Sequence, residues 1–272
     1  MRCLLVIPAF RESGRLPAFL RELLGQLERE ELDCEVLVVD DGSGAEEQRA
    51  LRECAARLRR ESPRLLDPLC FEKNRGKGAA IRAGWECVAG HDWVGFVDAD
   101  GAIPAREVCR LLRLAAESRQ RAPVFAARIR MLGRHIERRG LRHLTGRLFA
   151  GLVGLGIAPG IYDSQCGLKL IPAERHRQIA PWLAEDGFCF DVELLAALLA
   201  SGAAVSEVPI DWSDVPGSKV RLFHDTARMV LGLCRIFQRK KIWMSSNADN
   251  SHPSGLPGIG TIARNLNCSS RT

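Results

Sequence analysis

No apolar run in this 272-residue chain is long enough to cross a bilayer; the longest, Leu148 to Pro159, falls well short of the ~20 residues a spanning helix needs. No basic-then-apolar leader precedes the first apolar stretch, so neither a signal peptide nor a membrane anchor is expected. The ten cysteines include no Cys-x-x-Cys and have no His partner at zinc spacing, which argues against a zinc module. They read as reduced core thiols, so a cytosolic setting is expected over a secreted disulfide framework. Internal repeats are absent too. The net charge of +6 is spread out and comes chiefly from arginine; that suits phosphate groups but is too diffuse for nucleic acid. With 46% apolar and 26% charged residues, disorder is expected only in the tail. The length fits one large domain, placed at residues 1–241, with a tail over 242–272 in which Ser245 to Thr272 is rich in Ser, Asn, Gly and Pro.

What is present alternates. Cys3 to Ile7 and Glu35 to Val39 are short continuous apolar runs, as strands buried on both faces are. Between them Leu16, Phe19, Leu20, Leu23, Leu24 and Leu27 recur at helical spacing, with Pro17 acceptable in a first turn. Leu65 to Phe71, Trp93 to Val97, Pro123 to Ile129 and Ala203 to Ile210 add further strands, with helices between several of them. Strand, helix, strand, helix implies an α/β fold with a mostly parallel sheet, whose ligands bind beyond the carboxyl ends of the strands. Glu12, Asp40, Asp41, Asp98 and Asp100 should therefore converge on one rim.

The apolar run from Trp93 ends abruptly in Asp98 and Asp100. Two apart on an extended chain, they share a face. Two readings are open: carboxylates holding Mg²⁺ or Mn²⁺ against a diphosphate, or solvated acids at a strand end with Gly101 making the turn. Glu72 to Gly84 offers a Gly-rich loop with Lys73, Arg75 and Lys77 feeding a helix N-terminus. It reads as a phosphate cradle built on free amides, or as a basic turn. It is not a Walker loop, because no Ser or Thr follows Lys77.

Further along, Arg128 and Arg130 leave a strand, and Arg134, Arg138, Arg139, Arg142 and Arg147 lead into the Gly-spaced apolar stretch Phe149 to Ala158. Core packing is favoured for that stretch over contact with a membrane surface. Asp163 begins a polar segment that runs to Lys169, and the bland reading is a capped turn. Asp191 precedes the helical Leu194 to Ala200 and could simply be its N-cap. The last helix, about Val220 to Lys241, sets apolar residues against Arg221, Arg228 and Arg235; lipid head groups and a domain edge suit it equally.

Assembled in order, five motifs carry a resemblance: Val6-Ile7-Pro8-Ala9-Phe10-Arg11-Glu12, Val38-Val39-Asp40-Asp41-Gly42-Ser43, Asn74-Arg75-Gly76-Lys77-Gly78, Val97-Asp98-Ala99-Asp100-Gly101 and Asp163-Ser164-Gln165-Cys166-Gly167-Leu168-Lys169. Over about Arg2 to Lys241 the chain resembles glycosyltransferase family 2, nucleotide-sugar enzymes of the single-domain GT-A (Rossmann-like) fold. Asp-Ser-Gln-Cys-Gly and Gly217-Ser218-Lys219-Val220 point to its dolichyl-phosphate β-glucosyltransferase-like, polyprenyl-phosphate branch. The resemblance implies that Pro8, Glu12 and Asp41 line the nucleoside pocket, that Lys77 flanks the diphosphate, and that Asp98 and Asp100 hold Mg²⁺ or Mn²⁺. It implies a single inverting displacement, with a nucleotide-sugar donor (UDP-glucose, or GDP-mannose as the alternative) and a polyprenyl-phosphate acceptor.

A phosphate monoester, with a second pKa of about 6, is already largely anionic at neutral pH and needs orientation more than a base. Arg128, Arg130, Arg138, Arg139 and Arg142 are candidates to clamp it, and Lys219 or Arg221 to close over the donor. An alcohol acceptor would need a general base, for which Asp163 and Asp191 are the candidates. Relatives in this branch often carry a membrane anchor, which is not expected here. The enzyme is therefore expected to sit peripherally at the cytosolic face of a membrane, or to dock on a membrane partner. A soluble acceptor and a non-catalytic nucleotide-binding protein are the rivals, the latter opposed by intact Asp98, Asp100 and Asp163.

Overall fold

The computed structural model describes residues 1–87, 89–118, 120–133, 135–137, 153–154, 156–215 and 222–249, with side chains of the last span described over 231–244. The first strand, β1 (Cys3–Ala9), is apolar along nearly its whole length because it is paired on both edges, with β2 (Cys34–Asp40) and β4 (Trp93–Val97), both parallel to it. Its side chains then alternate between two cores: Cys3, Leu5 and Ile7 on one face, Leu4 and Val6 on the other.

Helices α1 (Leu16–Arg29), α2 (Ala45–Glu61) and α4 (Ala105–Glu117) cover the first face. α1 buries the six apolar residues its periodicity predicts. The second face is covered by α3 (Lys77–Trp85), α5 (Ala173–Ile179), α6 (Phe190–Ala200) and the last helix, α7 (Leu222–Asp249).

Among the described residues seven strands form the main sheet in the order β3-β2-β1-β4-β7-β5-β8, where β3 is Leu69–Cys70, β5 Val124–Ala127, β7 Leu168–Pro172 and β8 Ser206–Pro209. A two-stranded sheet pairs β6 (Ile136–Glu137) with β9 (Trp212–Ser213). β7 is the exception to parallel order, running antiparallel between β4 and β5. Its start therefore lies opposite the end of β4, with Val97 facing Leu168, and the loop entering β7 reaches the same rim as the loops leaving β1, β2 and β4.

Several expectations change. The third strand is shorter than Leu65 to Phe71: beyond β3, Leu65 makes a single bridge to Val36. α6 begins at Phe190, and Cys189 occupies its N-cap position, so Asp191 lies inside the first turn and is not the cap. α7 runs on past Lys241 to Asp249, so the end of the last helix is not at the predicted domain boundary. Of Phe149 to Ala158, the described Val153, Ile157 and Ala158 are buried in the second core, and Lys240 of α7 donates to the Ile157 carbonyl at 2.6 Å. Those residues pack inward. None of the nine cysteines among the described residues is in a disulfide.

Candidate active site

Convergence on one rim follows from the register. Ala9 is level with Asp40, the Asp41 N–H donates to the Ala9 carbonyl (2.8 Å), and Val6 is level with Phe96, which leads to Asp98. Pro8 is half-buried beside Val39. Glu12 is held by Arg15 through two bonds of 2.8 and 2.6 Å, and Arg15 lies close enough to Asp100 for their charges to interact.

Asp40 and Asp41 build the floor through backbone groups. Asp40 accepts from the Ser43 N–H (3.0 Å), the Ser43 hydroxyl and Gln48 Nε2 (2.9 Å). Asp41 accepts from Asn74 Nδ2 (2.8 Å), the Arg75 N–H (2.7 Å) and the Gly76 N–H (2.8 Å). Burial pushes the Asp41 carboxyl above its ordinary range, outweighing the amide bonds that favour its charge. The carboxylate expected to meet a nucleobase thus already holds the Asn-Arg-Gly-Lys-Gly loop.

Four amides of that stretch, those of Arg75, Gly76, Gly78 and Ala79, already have protein acceptors. The Gly78 and Ala79 N–H groups donate to the Asp186 carbonyl at 2.7 and 3.2 Å. Gly76 takes φ of +106°, and a Cβ there would overlap the same carbonyl oxygen, so only glycine lets the two loops close. The Gly78 and Ala79 amides, in the first turn of α3, are therefore satisfied by a protein acceptor and are not among the free donors expected there. What the loop delivers is the Lys77 side chain. Its Nζ lies 2.8 Å from Asp98 Oδ1 and 3.0 Å from Asp191 Oδ2.

Asp98 packs over Gly167, where any Cβ would overlap its carboxylate, and its N–H donates to the Gly167 carbonyl (2.9 Å). Asp100 accepts from the Ala102 N–H (3.0 Å). Among the described residues the second oxygen of each carboxylate has no hydrogen-bond partner. Burial, then the neighbouring Asp98 charge, pushes the Asp100 carboxyl upward, against the opposing pull of Arg15. Two hard oxygens that need a cation fit Mg²⁺ or Mn²⁺ sharing its coordination with phosphate. No cluster of three or more His, Cys, Asp or Glu able to hold a metal occurs among the described residues.

The other two carboxylates are closed. Asp163 is gripped by Arg128 Nε and Nη2 at 2.7 and 2.8 Å, accepts the Arg128 N–H at 3.0 Å, and also closes a turn on the Gln165 N–H. Arg128 stacks over Trp212 as well, 5.5 Å from the ring centroid. Asp191 is buried between Lys77 and Lys169. Burial alone would raise both acids, but Arg128 outweighs it at Asp163, and Lys169 and Lys77 outweigh it at Asp191; both carboxyls are held below the usual range.

Of the remaining expected arginines, Arg130 is exposed. Arg138, Arg139, Arg142, Lys219 and Arg221 lie outside the described residues. Sequence reasoning gave no role to Lys169, fully buried with Nζ on the Cys166 carbonyl (2.7 Å) and on Asp191, nor to Glu193, fully buried against Arg239. The signal was there: a lysine inside an apolar strand and a glutamate inside an apolar helix each need a charged partner.

A doubly covered, mostly parallel sheet with paired aspartates at its carboxyl rim is the arrangement of the GT-A fold. Among solved structures, glucosyl-3-phosphoglycerate synthase from Mycobacterium tuberculosis, in complex with Mn²⁺, UDP-glucose and phosphoglyceric acid, superposes with a TM-score of 0.66 at 14% identity, covering 88% of this chain and 80% of that one. Mannosyl-3-phosphoglycerate synthase from Rubrobacter xylanophilus gives 0.64 at 19% identity, covering 88% and 74%. The Glycosyl transferase family 2 description matches residues 4–169, and the chain belongs to that family. Curated relatives include dolichyl-phosphate β-glucosyltransferases from Saccharomyces cerevisiae, 31% identical over 84% of this chain and 72% of the relative, and from Mus musculus, 31% identical over 82% and 71%.

Proposed function

We propose that the enzyme transfers glucose from UDP-glucose to dolichyl phosphate or another polyprenyl phosphate, inverting the anomeric carbon in one displacement. Asp98 and Asp100 would hold Mg²⁺ or Mn²⁺, which when bound supplies positive charge to the departing nucleoside diphosphate. Pro8 and Glu12 line the nucleoside side of the rim, Asp41 shapes it through the loop it holds, and Lys77 stands at the diphosphate. Lys219 and Arg221 remain proposed to close over the donor.

One observation favours the acceptor class beyond the relatives' names. Asp163 and Asp191, the two candidate bases, are both ion-paired with lowered pKa, which makes them weak proton acceptors at neutral pH. A sugar hydroxyl would need a base. A phosphate monoester needs none, only cations to orient it, and Arg130, with Arg138, Arg139 and Arg142, is proposed to do that. Arg128 serves instead to hold Asp163 and shape the rim.

No helix among the described residues is long and apolar enough to cross a membrane. α7 exposes Phe237 and Met244 on one face, with Lys241 over the Phe237 ring. We assign this face to peripheral contact with the cytosolic side of the membrane holding the acceptor, either lipid or a membrane partner. The test is transfer of label from UDP-glucose to dolichyl or undecaprenyl phosphate in detergent with Mn²⁺ or Mg²⁺, beside GDP-mannose and a lipid-free control. Label in the lipid phase from UDP-glucose alone supports the proposal. Metal-dependent donor binding without lipid labelling would point to a soluble acceptor, and labelling from GDP-mannose would overturn the donor.

A further inference from the structure

Lys169 and Asp191 reach neither the rim nor the space above it, yet each carries a full charge in the interior. Lys169 is 0% exposed and Asp191 2%. Such a pair survives burial only where its geometry is satisfied on every side. Here it is: Lys169 Nζ meets the Cys166 carbonyl and Asp191, while the other Asp191 oxygen meets Lys77. Both ammonium groups also lie over Phe96, 4.9 Å (Lys77) and 5.2 Å (Lys169) from its centroid. Phe96 lies in β4, two residues before Asp98. The chain of charges thus runs Lys169, Asp191, Lys77, Asp98, and ends at the proposed cation site.

We propose that Asp191 and Lys169 are positioning residues that clamp Lys77 on Asp98, making Lys77 the resident counter-ion of the cation-binding carboxylates. Asp98 and Asp191 face Lys77, Asp191 also faces Lys169, and Arg15 and Glu12 beside Asp100 offset each other, so the cluster carries one net negative charge rather than the two of Asp98 and Asp100 alone. A divalent cation by itself is then weakly attracted and must compete with a tethered ammonium for Asp98. Donor diphosphate changes the balance, because its own charge attracts the cation and gives Lys77 a second anion to share. The consequence is that cation and nucleoside diphosphate bind as a coupled pair, each poorly without the other. The inference rests on the donor-site reading above.

The experiment measures Mn²⁺ binding to the full chain from the paramagnetic resonance of the free ion, with and without UDP, alongside a thermal melt to establish folding. In the unaltered chain UDP should tighten Mn²⁺ by about tenfold or more, an effect of about 1.4 kcal/mol per decade. Lys77→Met should tighten Mn²⁺ alone by about tenfold and shrink the UDP effect; unchanged or weaker Mn²⁺ binding overturns the counter-ion role. The double variant Lys169→Met with Asp191→Asn removes one charge of each sign, leaving the net charge of the cluster as it was. It should still bind Mn²⁺ alone several-fold more tightly, because Lys77 loses its second anchor, and an unchanged affinity overturns the positioning role. Binding of neither Mn²⁺ nor UDP by the unaltered chain overturns the donor-site reading and this inference together. Binding of both, with Lys77→Met indifferent, overturns the inference alone.

Discussion

The carboxylates of the two halves of the site are held in opposite ways. On the β1, β2 and β4 side, Asp40, Asp41 and Asp100 accept mainly from backbone N–H groups and short polar side chains. On the β5, β7 and α6 side, Asp163, Asp191, Glu185 and Glu193 are held by Arg128, Lys169, Arg235 and Arg239. Amides bind a carboxylate without cancelling its charge, so the first half keeps negative charge that Lys77 only partly offsets. Ion pairs cancel it, so the second half is rigid and electrically quiet. Lys77 joins them, with one contact in each half.

The comparison breaks most decisively at its open end. Asp100→Asn should lower transfer by more than about 100-fold, equivalent to about 3 kcal/mol of lost transition-state charge stabilisation. Its melting temperature should stay within a degree or two, because the substitution relieves repulsion with Asp98. Steady-state transfer and a thermal melt on the same sample check both. A large loss of stability would mean that this half, too, is structural.

The closed half should show the reverse. Arg239→Met leaves the fully buried Glu193 without its cation, and breaking such a pair costs about 3 kcal/mol. For a chain of this size that lowers the melting temperature by roughly 6–12 °C. Donor affinity measured well below the transition should change little. Asp41→Asn lies between the two: its new amide NH₂ faces the Arg75 and Gly76 N–H groups and strands buried donors, at about 2 kcal/mol. Because the loop it releases carries Lys77, UDP binding by calorimetry should weaken together with stability.

One further effect is silent at neutral pH and shows only in a pH scan. Burial against Trp85 lowers the His176 pKa to about 4. The unfolded chain, with a value of about 6.5, therefore takes up a proton before the folded one does, and stability falls as pH drops from about 6.5 towards 4. His176→Leu should flatten that part of the melting-temperature profile and leave transfer unchanged.

This contrast also explains what could be read from sequence. Asp40 and Asp100 accept from amides two or three residues on, so Asp40-Asp41-Gly42-Ser43 and Asp98-Ala99-Asp100-Gly101 announce themselves by turn chemistry after an apolar strand. The shared rim follows from parallel order alone. Ion-pair partners lie far apart in the chain: Lys77 with Asp191, Arg128 with Asp163, Glu185 with Arg235. No local pattern encodes them. For the same reason Asp191 reads as a cap or a base until its helix is seen to start one residue earlier. The Gly78 and Ala79 amides in the first turn of α3 read as free because their acceptor, the Asp186 carbonyl, belongs to a segment more than a hundred residues later. An antiparallel β7 was equally hidden, since a short apolar run carries no mark of its direction.

The placement of β7 has a consequence for the order in which the molecule comes into being. β1, β2, β4 and the helices between them are contiguous in the chain and can associate as soon as they leave the ribosome. The edge of β4 that β7 will occupy stays bare until α4, β5 and β6 have also been made, because all three intervene. Closure of so long a loop is slow relative to local pairing. During synthesis the acidic rim therefore exists before Lys169 and Asp191 arrive, and the nascent chain passes through a stage with an uncovered hydrophobic strand edge, the point at which chaperone protection matters most.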